Sequence, residues 1–192
     1  MFQVRIHGRG GQGVVTAAEM LALAAFDEGK HAQAFPSFGS ERMGAPVVAF
    51  CRIDDGPIRS REPITAPDAL IIQDPTLLNA VDVFQGVAPG GFVLINSSKS
   101  FVQLGLDELV KTFPAGHVRA VPATDLALTH IGRPIPNAVL LGCFAALTSA
   151  ISLDAVQTAI RERFSGTLAE QNCAAAGAGY QTIHLPATAG TV

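Results

Sequence analysis

The chain has 192 residues, the length of one ordinary domain and enough to bury a sizeable core. Apolar residues make up 48% of it, which excludes a disordered chain, and the net charge of −3 gives no basic excess for binding nucleic acid. Only 15% of the residues are charged, against about 25% in an average soluble domain, so we expect partner subunits to cover part of the surface.

The first part of the chain alternates short apolar strands with helices and loops. The opening strand leads directly into the glycine-rich segment 8–13, and residues 14–28 have helix-forming composition, closed by Gly29. The proline-rich segment 54–67 is predicted to be an irregular surface excursion, and Asp74 followed by Pro75 predicts a short helix. Strands are predicted over residues 2–7, 31–35, 45–53, 69–73, 91–95 and 118–121.

The rest of the chain is predicted to be helical, with four helices that begin at capping residues or at a proline. The second of them is apolar on every face through residue 150. We therefore expect the core to seal one side of it, and a partner chain to cover outward residues such as Leu140 and Phe144. The Ala/Gly-rich stretch that reaches Tyr180 is expected to fray. The four helix starts are Thr124, Pro136, Asp154 and Thr167.

This alternation predicts an α/β fold over residues 1–192, a single Rossmann-like, doubly wound and mainly parallel sheet with a helical C-terminal part. In such sheets ligands bind at the carboxyl ends of the strands. Two loops whose residues could bind a ligand are predicted at that edge: the glycine loop, residues 8–13, and the loop of residues 37–44.

The glycine loop matches the pattern G-x-G-x-x-G between a strand and a helix, which is the context that the motif requires. We expect Gly8 to permit a tight turn, Gly10 to let the backbone approach an anion, and Gly13 to let the helix pack close to the strand. The helix N-terminus would then offer free N–H groups to a phosphate.

NAD or FAD binding also needs an acidic residue at the end of the second strand, about 20 residues on, to hold the ribose. Here that strand ends in Gln33, Ala34, Phe35 and Pro36, and no Gly-Lys-Ser/Thr sequence follows for a Walker-type site. Two alternatives to a dinucleotide stay open: another phosphate-bearing or partner ligand, or glycines that serve packing only.

Metal and cluster sites are not predicted, because Cys51, Cys143 and Cys173 are far apart and the five histidines are scattered. The N-terminus has no apolar core of signal-peptide type, and the longest apolar stretch, residues 138–151, is too short to span a bilayer. We therefore expect a cytoplasmic protein that contacts neither membrane nor nucleic acid.

Four blocks resemble one family, the gamma subunits of 2-oxoacid:acceptor oxidoreductases of the pyruvate:ferredoxin type. Residues 6–18, Ile-His-Gly-Arg-Gly-Gly-Gln-Gly-Val-Val-Thr-Ala-Ala, are similar to the opening of those subunits. Residues 38–47 resemble the family's acidic–Arg–x–Gly–x–Pro segment, and residues 136–142 and 170–180 resemble two later blocks. In register, the blocks span nearly the whole chain.

The resemblance implies the gamma subunit of a complex that oxidatively decarboxylates a 2-oxoacid to acyl-CoA. Partner subunits would hold thiamine diphosphate with magnesium and the iron–sulfur clusters, and ferredoxin or another acceptor would take the electrons. This chain would bind no redox cofactor and would be inactive alone. It would contribute to assembly and to the site of the co-substrate, coenzyme A.

Residues expected at that site come from both loops, and no catalytic residue or metal ligand is assigned. Two alternatives remain: a free-standing NAD-binding Rossmann oxidoreductase, and a purely structural subunit. The expected binding residues are Gly8, Arg9, Gly10, Gly11, Gln12, Gly13, Ser40 and Arg42.

Overall fold

The computed structural model describes residues 1–37 and 43–184, in which six strands form one sheet. The order across the sheet is β2-β3-β1-β4-β5-β6, and every strand is parallel to the others except β3, which is antiparallel to both neighbours. The predicted, mainly parallel α/β fold is therefore confirmed. The strands are β1 (Phe2–Arg9), β2 (His31–Pro36), β3 (Pro46–Asp54), β4 (Ala69–Ile72), β5 (Phe92–Asn96) and β6 (Val118–Val121).

The long helices cover one face of the sheet, where they share a core with inward residues of the strands such as Val4, Ile6 and Ile71. Short helical and irregular segments of residues 75–113 cover the other face at β4 and β5, around Leu70 and Ile72. Burial on both faces explains why β4 is a continuous apolar run. The helices are α1 (Val14–Asp27), α2 (Asp107–Val110), α3 (Ala123–Ile131), α4 (Asn137–Thr148), α5 (Leu153–Arg163) and α6 (Gly166–His184), with a 3-10 helix at Pro75–Asn79.

Two buried arginines hold irregular segments against the face of the sheet that residues 75–113 cover. These segments are the proline-rich excursion and residues 83–85. Arg5 donates to the carbonyl oxygens of Val83 and Gln85, at 2.9 and 2.6 Å. Arg52 donates to the carbonyl oxygen of Glu62 and lies over the Phe35 ring, 5.1 Å from its centroid. These charged hydrogen bonds to main-chain oxygens supply the order that a segment without regular structure lacks.

Three predicted helix caps are wrong, and one of them, Thr167, is the second residue of α6. Ser152, not Asp154, caps α5, because its hydroxyl accepts a hydrogen bond from the Ala155 N–H at 3.1 Å. Thr124 lies inside α3, and its hydroxyl accepts instead from the Asn96 amide at 2.8 Å. The short helix α2 was not predicted at all.

The expected fraying of the Ala/Gly-rich stretch is also wrong, because its small residues form a helix–helix contact. α6 continues to His184 and packs closely along α4. A Cβ on Gly142 would lie 1.9 Å from the Ala176 carbonyl oxygen, and one on Gly179 would lie 2.2 Å from that of Val139. The absence of side chains at these positions lets the two backbones approach.

The expectation that Leu140 and Phe144 point outward is also wrong, because other elements of this chain pack around α4. Both are buried within this chain, at 1% and 2% exposure. α4 is enclosed by the sheet and by α1, α3, α5 and α6, and the Phe144 ring meets that of Phe2 edge-on at 6.2 Å. No partner chain is needed to explain a helix that is apolar all round. Within the described residues, no helix is long and apolar enough to cross a membrane.

Candidate functional site

The glycine loop lies where the chain changes direction across the sheet. β1 leads through α1 to β2 on one side, whereas β4 adds to β1 on the other side. The carboxyl ends of β1 and β4 therefore meet at a topological switch point, where α/β proteins commonly bind ligands. The loop after β1 and Asp74 after β4 face each other there, as their hydrogen bonds show.

Two glycines of the loop act differently from the sequence-based expectation. Gly8 allows close helix packing rather than a turn, because a Cβ there would lie 2.5 Å from a methyl group of Val14 in α1. Gly13 caps α1 in the left-handed region, with φ of 72°, which disfavours other residues. A Cβ on Gly13 would also lie 2.8 Å from the Asn137 amide nitrogen, so the start of α4 covers this end of α1.

Arg9 is held by protein groups on both sides of the loop. Its Nε and Nη2 atoms lie 3.1 and 2.7 Å from the Thr76 hydroxyl oxygen, and its Nη1 donates to the Gly44 carbonyl oxygen at 3.0 Å. Its Nε also lies 3.3 Å from the Asp74 carboxylate. The guanidinium thus joins the ends of β1 and β4 to the segment before β3.

Gln12 and Asp74 complete this bracing. The Gln12 side chain accepts from the Arg9 N–H at 2.7 Å and donates to the Asp74 carboxylate at 2.7 Å. Partial burial opposes ionisation of Asp74, but hydrogen bonds from Thr76 and Gln12 and the charge of Arg9 together lower its pKa. Asp74 is therefore a carboxylate at neutral pH that orients both polar side chains of the loop.

The two predicted loops are adjacent. The Gly10 N–H donates to the Ala45 carbonyl oxygen at 2.9 Å, and the Gly44 N–H donates to the Gly10 carbonyl oxygen at 3.1 Å. This pairing brings the segment before β3 beside the glycine loop, with Met43 exposed at its border. The predicted binding residues Ser40 and Arg42 lie outside the described residues.

Gln73 was not identified from the sequence, although it is the most deeply buried polar residue near the loop. It is 2% exposed, its Cβ lies 3.3 Å from the position of a Cβ on Gly8, and its amide nitrogen and oxygen have no hydrogen-bond partner within the described chain. Among the described residues, only the main chain of Gln73 is bonded: the Asn96 side-chain amide donates to its main-chain carbonyl oxygen at 2.7 Å. The sequence did carry a signal for Gln73, since it is a polar residue directly after a continuous apolar strand. Buried amides usually have hydrogen-bond partners, so such a residue marks a position where a partner is to be sought.

A cleft of about 420 Å³ opens beside the loop, at the carboxyl ends of β5 and β6. Thr76 belongs to both places, since it lines the cleft and accepts hydrogen bonds from Arg9. Lys99 and Asp125 also line the cleft. The edge of the sheet thus carries a braced glycine loop and a neighbouring polar cleft.

The geometry does not favour a dinucleotide at the end of β2. Gln33 there accepts a hydrogen bond from Arg52 at 3.2 Å. The Phe35 ring lies under Arg52 and contacts the Phe50 ring at an interplanar angle of 35°. These residues pack against the sheet and supply no carboxylate for a ribose. Among the described residues, no group of three or more His, Cys, Asp or Glu side chains could hold a metal ion.

A family model, curated relatives and solved structures all match this chain over nearly its whole length. A family model described as pyruvate ferredoxin/flavodoxin oxidoreductase matches residues 3–182. The common gamma subunit of the pyruvate/ketoisovalerate oxidoreductases of Thermococcus kodakarensis is 51% identical over 176 residues, which cover 92% of this chain and 94% of that protein. Pyruvate synthase subunit PorC of Methanothermobacter thermautotrophicus is 48% identical over 183 residues, covering 95% of this chain and 96% of that protein. The crystal structure of pyruvate oxidoreductase subunit PORC from Thermotoga maritima matches with a TM-score of 0.78 and 36% identity, covering 94% of this chain and 95% of that chain.

Proposed function

This chain belongs to the pyruvate ferredoxin/flavodoxin oxidoreductase family, and we propose that it is the gamma subunit of a 2-oxoacid:acceptor oxidoreductase. The observation that carries the proposal is the extent of the match. Relatives named as gamma or PorC subunits are 51% and 48% identical and are themselves covered over 94% and 96% of their length. The match therefore covers nearly the whole length of relatives that are themselves named as single subunits.

The complex would convert a 2-oxoacid and coenzyme A to acyl-CoA and carbon dioxide and pass two electrons to an acceptor. Thiamine diphosphate with magnesium and the iron–sulfur clusters would be held by partner subunits. The acceptor would be ferredoxin or, through a further subunit, NAD. The three cysteines are unpaired, which suits a reducing, cytoplasmic setting.

We assign the coenzyme A role of this chain to the edge of the sheet at the glycine loop. Main-chain N–H groups at the start of α1 and the Arg42 guanidinium would converge there on an anionic group of the co-substrate. Arg9 and Gln12 support this site by bracing the loop against Asp74 and Thr76. Gly10, Gly11, Gly13 and Ser40 would shape the surface that the ligand meets, and Gly8, buried against Val14, would support the loop from beneath.

A purely structural subunit is the second candidate, and one observation favours it. Both polar side chains of the loop, Arg9 and Gln12, already bond to protein groups. A loop that serves packing alone would look similar. The free-standing NAD-dependent enzyme has no such support, since the end of β2 offers Gln33 and Phe35 where the ribose would need a carboxylate.

The experiment that separates these candidates is Arg42→Ala in the assembled complex. We expect the KM for coenzyme A to rise roughly 10- to 150-fold, because losing a charged hydrogen bond costs about 1.5–3 kcal/mol. Decarboxylation and first-electron transfer, measured without coenzyme A, should change little. Arg59→Ala, in the exposed part of the proline-rich excursion, is the matched control. If Arg42→Ala abolished the first step and left the coenzyme A dependence intact, the loop would belong to the thiamine site or to structure.

A further inference from the structure

The edge strand β2 presents unpaired main-chain groups on the side away from β3. It ends the sheet, and among the described residues no other strand pairs with that side. Antiparallel strands exchange hydrogen bonds at every second residue. The Ser37 N–H donates to the Val48 carbonyl oxygen at 2.8 Å, so the odd-numbered residues of β2 bond to β3. The N–H and carbonyl groups of Ala32 and Ala34 therefore point outward.

This edge lacks the features that normally keep an exposed edge strand from pairing. Such strands are usually short, or carry charged side chains or a proline within the strand. At the opposite edge of the sheet, β6 has four residues and includes Arg119. By contrast, β2 has six residues, none of them Lys, Arg, Asp or Glu, and its proline is the last residue, Pro36. An edge of this kind invites pairing with another strand.

An apolar stripe on α1 lies above the same edge. α1 packs against β2 and β3, and Val15, Ala22 and Phe26 follow one another at helical spacing along one side of it. Val15 and Ala22 are half-buried against the core, as are Ala32 and Ala34 of β2. Phe26 is 73% exposed. Because β1 crosses to the parallel strand β2 in the right-handed sense, this stripe is on the side of α1 that faces the free edge.

The outward groups of β2 are complementary to those of a second copy of the same strand. When two β2 strands run antiparallel with Gln33 on the two-fold axis, Ala32 of each lies opposite Ala34 of the other, and each such pair exchanges two hydrogen bonds. The Gln33 side-chain oxygen accepts from Arg52 at 3.2 Å, and its NH₂ group can donate to the Gln33 oxygen of the second copy. Since β2 carries no Lys, Arg, Asp or Glu, the pairing brings no like charges of the two strands together.

We propose that two copies of this chain join through their β2 edges, so that their six-stranded sheets form one continuous sheet. The two α1 helices then pack antiparallel across the two-fold axis, with Phe26 of each helix facing the Val15 end of the other. This inference goes beyond the gamma-subunit function and does not depend on it. In the complex, the contact would link two gamma subunits and, through them, two sets of partner subunits.

The register of the proposed pairing is tested by a disulfide between two copies. Opposite residues of a non-hydrogen-bonded pair have Cα atoms about 4.5 Å apart, within the range for a disulfide. The purified Gln33→Cys chain should therefore give a covalent dimer on mild oxidation, measured by non-reducing electrophoresis. His31→Cys, at an exposed position on the same strand, is the matched control. The two His31 positions would lie about 13 Å apart along the strands, so no disulfide should form.

The contact itself is tested by sedimentation of the purified chain, which should be a dimer. Phe26→Lys should raise the Kd of the dimer roughly 10- to 100-fold, because it removes a buried aromatic ring from each copy. Val102→Lys is the matched control: Val102 is 72% exposed, lies in the segment that covers the opposite face of the sheet, and should leave the Kd unchanged. Ala34→Pro should also weaken the dimer, since it removes an outward N–H and keeps the bonds between β2 and β3.

Three results would overturn the proposal. One is a chain that stays monomeric at its highest soluble concentration and gives no Gln33→Cys dimer. Another is a dimer that survives both Phe26→Lys and Ala34→Pro, which would use a different surface. The third is a monomeric chain whose Ala34→Pro variant loses a partner subunit from the complex, which would assign the edge to that subunit. An unchanged KM for coenzyme A in Arg42→Ala would instead contradict the coenzyme A role and leave the dimer unaffected.

Discussion

His7 lies on β1 directly before the glycine loop, and its ring faces the interior of the protein. Burial, reinforced by the positive charge of Arg5, lowers its pKa from 6.5 to about 4. Its Nε2 atom has no hydrogen-bond partner among the described residues. His7 is therefore neutral at pH 7 and becomes charged only at a substantial cost in folding free energy.

This histidine should make the stability of the chain depend on pH. The unfolded chain takes up a proton near pH 6.5, whereas the folded chain takes it up only near pH 4. The contribution is therefore complete above pH 6.5 and is lost as the pH falls from 6.5 to 4, by roughly 3 kcal/mol. His7→Leu should flatten this part of the curve of unfolding free energy against pH, measured by urea titration. His31→Leu, at an exposed position on β2, is the control. An equal pH slope in wild type and His7→Leu would contradict the prediction.

Single residues were also the level at which sequence-based prediction was weakest. The glycine loop was located correctly because its spacing is local. The partners of Arg9 could not be predicted, since Thr76 lies 67 residues away along the chain and meets Arg9 only when β4 pairs with β1. The same holds for Asn137, which covers Gly13 from the start of α4.

At the level of elements, the contact between α4 and α6 depends on two glycines. Replacing Gly142 or Gly179 with Ala adds a methyl group that would overlap a main-chain oxygen of the other helix, at 1.9 or 2.2 Å. Overpacking of this kind typically costs about 1–3 kcal/mol, which outweighs the gain of about 1 kcal/mol in helix propensity. We expect both variants to lower the free energy of unfolding, measured by denaturant titration.

Gly177→Ala is the matched control on the same helix. A Cβ there would have its nearest neighbour at 3.8 Å, an ordinary contact with the Gln157 side chain. Helix propensity then acts alone, so this variant should be up to about 1 kcal/mol more stable than the wild type. Stabilisation by Ala at all three positions would mean that the two helices do not pack as closely as described.

Most helices and strands were predictable because their sequence signals are local. The way in which the strands pair with one another was not predictable. Hydrophobic runs located all six strands, including β6 at its observed bounds, Val118–Val121. The antiparallel direction of β3 was not predicted, since direction depends on which strands pair and not on the pattern within β3. The helix α2 has only four residues, too few for a 3.6-residue period to be recognised.

For the whole molecule, low charge has two explanations that the sequence alone could not separate. One is internal, since an all-apolar α4 is enclosed by other parts of the same chain. The other is the expected cover by partner subunits, which stays a prediction. Exposed apolar side chains mark where such cover would be most favourable. In the part of the chain that the structure describes, the most exposed are Phe26, Met43 and Val102, at 73%, 87% and 72%.

The distribution of cysteines over the molecule leads to the last prediction, that the isolated chain carries out no redox chemistry. Cys51, Cys143 and Cys173 lie on β3, α4 and α6 and are all buried. Burial raises the pKa of Cys51 and of Cys143 to about 12, and the Cys143 thiol donates to the Gly179 carbonyl oxygen. A cluster requires several thiolates around one site, whereas these thiols stay protonated and separate.

After incubation with iron, sulfide and thiamine diphosphate, the purified chain should show no visible absorbance and no 2-oxoacid-dependent reduction of a viologen dye. The assembled complex should show both, as the positive control. A stoichiometric iron–sulfur spectrum from the chain alone would place a redox centre in this subunit and refute the division of labour proposed for the complex.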